Sequence, residues 1–149
     1  MPQLKPCHDD GSAALEFITA GFLLLIPLVY LVLAMADIQG GALAVEGASR
    51  QAARVFVQAG DSGSAQARAR TAVDFALDDF GLGNVASTVK ISCRPNRAVC
   101  LTRRGLVTVT VTARVPLPLV PNVLALKTPL AVPMSATSTE QVSRFWGAG

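Results

Sequence analysis

Charge is scarce in this sequence, and so are the side chains that carry catalysis or hold metals. Only 15% of its 149 residues are charged, against about 25% in ordinary soluble domains. His8 is the single histidine. No nucleophile–base pair, metal-ligand set or phosphate-cradling loop is present, which argues against an enzyme, a cofactor or a small-molecule substrate. Asp74, Asp78 and Asp79 read as a solvated helix face rather than paired catalytic acids. The net charge of +3 is mild and rests on scattered arginines, which calls for no nucleic acid. Arg94, Arg97, Arg103 and Arg104 read as a solvated turn, with contact to an acidic surface or an anionic polymer as the alternative. There are no internal repeats.

Cysteine is limited to Cys7, Cys93 and Cys100. Cys7 and His8 stand beside Asp9 and Asp10, too small a group to argue for a metal site. If the C-terminal part of the chain is exported it meets oxidising conditions, where Cys93 and Cys100 can staple a short loop. A redox or metal role for that pair lacks accompanying ligands.

What the chain does have is one long apolar run. Phe17 to Ala36 is twenty residues without a charge, the length at which a helix matches the hydrocarbon thickness of a bilayer. Glu16 stands at its head, and an ionisable group at a membrane edge is a functional candidate by default. Pro27 lies inside the run, where the backbone bond it removes, and a kink, are tolerated in lipid.

Beyond Asp37 the pattern turns amphipathic. Ile38, Ala42, Val45, Ala52, Phe56 and Ala59 follow helical steps with Ser49 in the gap, while Glu46 and Arg50 form an i,i+4 pair of favourable polarity. The spacing predicts one helix from Ser12 to Ala59, roughly 70 Å long, with Gly40-Gly41 as a weak point and a stop near Gly60. A second helix is expected over Ala65–Phe80, with Ser64 as N-cap, a stripe of Ala69, Ala72, Val73, Ala76, Leu77 and Phe80, and a stop at Gly81.

From Ser87 the period is two. Val89, Ile91 and Cys93 alternate with polar residues, as do Val107, Val109, Val111 and Val115. A last strand is expected over Ala131–Gln141, with Val132, Met134, Ala136 and Ser138 on one side and Pro133 confining its first half to an edge or bulge. A short strand over Ala98–Thr102 would set Cys100 across a hairpin from Cys93. The apolar, proline-rich connection Pro116–Pro129 is too short and broken to span a membrane and needs cover. The expected class is α+β: a membrane-spanning helix continuing into an amphipathic helix, a second helix, and a small antiparallel sheet of three or four strands. The divisions are a leader over 1–11, the extended helix over 12–60 and an exported domain over 61–149.

The heptapeptide Gly11-Ser12-Ala13-Ala14-Leu15-Glu16-Phe17 at the head of the apolar helix resembles the processing motif of type IV pilin-like precursors. In this form it is similar to the TadE/TadF pseudopilins of tight-adherence (Flp-type) pilus systems. Gly47-Ala48-Ser49-Arg50-Gln51-Ala52-Ala53-Arg54 and the valine–threonine tail are similar to that family too. The resemblance implies cleavage between Gly11 and Ser12 by an aspartic prepilin peptidase. It implies that Glu16 pairs with the new amine of Ser12 or of a neighbouring subunit, and that Phe17 begins the packing surface. It further implies a single-pass protein of the bacterial cytoplasmic membrane, with its N-terminus cytoplasmic and its C-terminal domain exported. The implied partners are the peptidase, other pilins and pseudopilins, the pilus assembly platform and membrane lipid. A competing pattern is Ala34-Met35-Ala36 before Asp37, the A-x-A form read by a general signal peptidase. Cut there, the chain would be a secreted binding domain unrelated to pili; uncut, a bitopic one.

Overall fold

The computed structural model describes residues 12–118 and 130–147. The leader, with Gly11, Cys7, His8, Asp9 and Asp10, and most of the proline-rich connection lie outside the described residues. Two helices and three strands follow in order: α1 (Ser12–Val57), α2 (Ser62–Asp78), β1 (Ser87–Arg94), β2 (Leu106–Pro116) and β3 (Ala131–Gln141). The arrangement is α+β, as the change of period from 3.6 to 2 implies.

The first helix is one unbroken element of 46 residues, roughly 70 Å in length. It passes through Pro27, through Ala34-Met35-Ala36 and through Gly40-Gly41 without interruption. Its two halves have different surroundings. From Ala13 to Met35 nearly every side chain is exposed, Phe17 at 80% and Leu23 at 74%. From Gly41 onward one stripe is buried: Ala44 and Val45, Ala48 and Ser49, Ala52 and Ala53, then Phe56. That is the i, i+3, i+4 repeat of a helix with one apolar face. Ala42, expected on this face, is exposed, because the stripe enters through Gly41 instead.

At Gly41 the helix backbone comes close to the sheet. A Cβ on it would lie 2.4 Å from Cγ2 of Val115, whereas one on Gly40 would meet nothing within 4 Å. The two adjacent glycines therefore make a matched test. Gly41→Ala forces Val115 to move and should destabilise the domain by about 1–3 kcal/mol, the range for overpacking. Gly40→Ala should stabilise it by up to about 1 kcal/mol through helix propensity. Thermal unfolding of both variants reads the difference, and equal behaviour would mean that α1 and β2 do not meet at Gly41.

The second helix folds back beside the first. Its N-cap is Asp61, not Ser64: the Asp61 carboxylate accepts from the Ser64 hydroxyl at 2.6 Å and the Ser64 backbone N–H at 2.9 Å. These bonds, the hydroxyl first, hold the Asp61 carboxyl below the ordinary carboxylate range. Cap chemistry thus starts the helix three residues before Ala65. Ala65, Ala69, Val73 and Leu77 are buried. Phe80 is 52% exposed, because α2 ends at Asp78 and the chain turns away at Gly81 (φ +72) before Phe80 can continue the stripe.

The sheet is antiparallel in the order β1-β2-β3. Every second residue of β2, Val107, Val109, Val111, Ala113 and Val115, is buried on the face that packs on α1. On β3 Val132, Met134, Ala136 and Ser138 are half-buried on one side, and Pro133 sits in register opposite Arg114 on an edge strand. The other face is a hydroxyl surface. Thr108 bonds Thr139 at 2.9 Å, Thr110 bonds Thr137 at 3.0 Å and Thr112 bonds Ser135 at 3.1 Å. Such cross-strand pairs stabilise a solvated face while the valines opposite fill the core.

The expected strand at Ala98–Thr102 does not form. Backbone pairing of β1 and β2 is already complete from Arg94↔Leu106 to Ser87↔Ala113, and the segment between them is spent on turns. The Ala98 N–H bonds Asn96 Oδ1 at 2.9 Å, and the Gly105 N–H closes a turn onto the Thr102 carbonyl at 2.8 Å.

Candidate functional site

Helix α1 belongs to two environments, and this is what organises any functional reading. Its distal half is a core element: it packs on α2, β2 and β3. Its proximal half packs on nothing among the described residues and is long and apolar enough to cross a membrane. Fifteen large apolar side chains between Leu15 and Met35 are exposed. A surface of that extent is far beyond the scattered apolar residues of a soluble monomer.

The domain is polar along this axis. Gly41 meets Val115, so the end of β2 and the start of β3 lie level with the helix about 6 Å past Asp37, the first charge after the apolar run. We call this the proximal pole. At the other end the indole Nε1 of Trp146 donates to the Ala59 carbonyl at 2.9 Å, tying the C-terminal turn to the end of α1. The β1–β2 loop lies at this distal pole, beside the last residues of β3. No linker separates rod from domain; a displacement of the distal half of α1 would break the core.

At the head of the helix, Glu16 and Phe17 are both exposed. Glu16 follows Ser12 by four residues of unbroken helix, about one turn further along. The positive end of the helix dipole favours a carboxylate near this end. Thr19 Oγ1 donates to the Leu15 carbonyl at 2.8 Å. Among the described residues the only ion pair is Arg50 with Glu46, on the solvent side of the distal half.

The structure joins Cys93 and Cys100 in a disulfide, with Cα atoms 5.0 Å apart. Cys93 is buried on the inner face of β1 and Cys100 is half-buried in the loop. The bridge closes a loop across a separation of seven residues, for which the loop-entropy relation gives about 2.5 kcal/mol. Cys93→Ser with Cys100→Ser should lower domain stability by that order, read by denaturation with and without reductant. A variant as stable as the parent would leave the bridge without a structural role.

Three features were not visible in the sequence pattern. Gly41 reads as a weak point but is a contact. Trp146 lies in a short polar tail, yet its N–H locks the end of α1. Arg104 adopts φ 61, a left-handed conformation rare for a residue with a side chain. Elsewhere the described surface offers little chemistry. An open groove of about 620 Å³ between α1 and α2 is lined by Gln51, Val55, Arg68, Thr71, Phe75 and Asp79. Among the described residues no three of His, Cys, Asp and Glu gather as a metal site. Comparison with protein-family models, curated proteins and solved structures finds no match.

Proposed function

We propose that this chain is a TadE-like pseudopilin, a membrane-anchored structural and assembly component of a tight-adherence pilus. The observation that carries the reading is the continuity of α1: one helix is both the bare apolar rod and the central core helix of the domain. A subunit of this shape packs its rod against other rods in lipid and holds its domain at a fixed height and rotation outside it. The motif Gly11 to Phe17 supports the same reading, since it places a carboxylate where the rod enters the membrane.

In this account a prepilin peptidase cuts between Gly11 and Ser12 on the cytoplasmic side. Glycine leaves the backbone accessible at that bond, with no side chain in the way. Glu16 becomes the fifth residue of the mature chain and pairs with the new amine of Ser12 or of an adjacent subunit, offsetting the cost of taking both charges into an apolar bundle. The domain lies on the far side of the membrane, where its disulfide is stable. Its work is assembly rather than chemistry.

Removing the chain from a cell that carries the pilus machinery tests this reading. Surface filaments, counted by electron microscopy, should be lost and should return with the parent sequence. Filaments unchanged in number and length would refute an assembly role.

A further inference from the structure

The fold adds a fifth arginine to the four that the sequence groups in one turn. Arg94 ends β1, Arg97, Arg103 and Arg104 lie in the β1–β2 loop, and Arg144 lies in the turn after β3. All five are exposed at the distal pole. None takes part in an ion pair among the described residues.

This pole is built, not loose. The disulfide pins the loop to β1. The Arg104 N–H donates to the Val142 carbonyl at 3.2 Å, and the Val142 N–H donates to the Gly105 carbonyl at 2.8 Å. Arg103 Nε donates to the Trp146 carbonyl at 3.0 Å, so one arginine is fixed against the C-terminal turn with its terminal nitrogens left over.

Arg104 is the informative residue. It occupies the third position of the turn Thr102–Gly105 with φ 61, where glycine or asparagine is the cheap choice. Arginine there carries backbone strain that its guanidinium must justify. Two aromatic rings lie in the turn after β3 at the same pole. Phe145 is 67% exposed, with the Arg144 guanidinium 4.6 Å from its ring centroid, and Trp146 is half-exposed. Planar guanidinium groups grip phosphates through two N–H bonds, and exposed rings and guanidinium planes stack bases.

We propose that the distal pole binds single-stranded nucleic acid, its arginines holding phosphates while a base stacks on Phe145. An acidic protein surface would satisfy the charge but would leave the exposed Phe145–Arg144 stack unexplained. The proposal revises the expectation drawn from net charge alone, because spacing along the chain does not report proximity at the pole.

The test uses the full chain in detergent micelles and a fluorescent twenty-nucleotide oligo-dT, followed by anisotropy between 50 and 200 mM salt. Five phosphate contacts predict a slope of log affinity on log salt of about −3.5, or roughly a hundredfold loss across that range. Arg97→Glu with Arg144→Glu should weaken binding more than tenfold and flatten the slope by about 1.4. Phe145→Ala should weaken oligo-dT at least fivefold while leaving an abasic strand of equal length unaffected. Arg114→Glu, an exposed charge at the proximal end of β2, is the control for net charge and should change affinity less than threefold. The proposal fails if polyglutamate competes as well as oligo-dT, if Arg114→Glu matches the double variant, or if the slope is near zero. Salt-reversible self-association without added polymer, lost in the double variant, would overturn it in favour of contact between copies of the chain.

Discussion

Phe56→Ala should cost the domain about 3–5 kcal/mol, the largest stability loss available from one truncation in this chain. Phe56 is 1% exposed at the last buried turn of α1 and is the largest of the fully buried side chains. Apart from Val45, the rest of the helix stripe is small: Ala44, Ala48, Ser49, Ala52 and Ala53. Small residues let α1 approach its neighbours closely, and Phe56 is the one large side chain of the stripe. For a domain of about a hundred residues the midpoint should fall by more than about 12 °C. Arg54→Ala, exposed two residues earlier, should stay within about 0.5 kcal/mol. In the full chain in detergent, the tryptophan band of the near-ultraviolet circular dichroism, which comes from Trp146 alone, follows the domain separately from the apolar half of the helix, where Tyr30 lies. A midpoint within a few degrees of the parent would mean that the distal half of α1 is not the core.

Glu16→Ala should leave processing intact and abolish incorporation into filaments. Glu16 lies in the second turn of α1, outside the peptide bond that is cut, so the peptidase loses nothing it must grip at that bond. The loss falls on assembly. A carboxylate entering the bilayer costs up to about 3 kcal/mol unless a cation meets it, and the amine of Ser12, created by the cut, is the cation that the proposal supplies. In the alanine variant that amine enters the bundle unpaired, and the register between neighbouring rods loses its marker. The measurement is the ratio of mature chain in sheared filaments to mature chain in membranes, expected to fall at least tenfold. Glu46→Ala is the matched control, because Glu46 faces solvent beside Arg50 and its loss should not alter the ratio. Normal filaments in Glu16→Ala would remove the assembly role given to that carboxylate.

The parts of this fold that periodicity reaches were legible from the residues. Alternating valine and threonine gave β2 its buried and solvated faces, and the alternation in Ala131–Gln141 gave β3 to the residue. The long helix followed from an apolar run that passes into an amphipathic stripe without a breaker. What escaped was set by contacts between elements. Ala42 and Gly41 are neighbours on the helix, and only the position of Val115 decides which faces the sheet. The Ala98–Thr102 strand was expected so that the two cysteines would face one another, but a loop closed by turns brings Cys100 to Cys93 without one. Asp61 replaced Ser64 as cap because both are good capping residues, and the one that comes first starts the helix. At the candidate site, Glu16 and Phe17 stand where the sequence places them, exposed at the head of α1. Arg94, Arg97, Arg103 and Arg104 were legible as a basic turn, but the fifth arginine of the pole was not. Arg144 is forty residues from Arg104 in sequence, and they become neighbours only through the pairing of β3 with β2.

The first residue of the membrane-extracted protein decides the central claim. Intact mass and N-terminal peptide mapping should find a chain that begins at Ser12 when the prepilin peptidase is present and at Met1 when it is removed. A chain beginning at Asp37 would show cleavage after Ala34-Met35-Ala36 and would contradict the pseudopilin account, since the rod would be gone. So would a chain that still begins at Met1 in the presence of the peptidase.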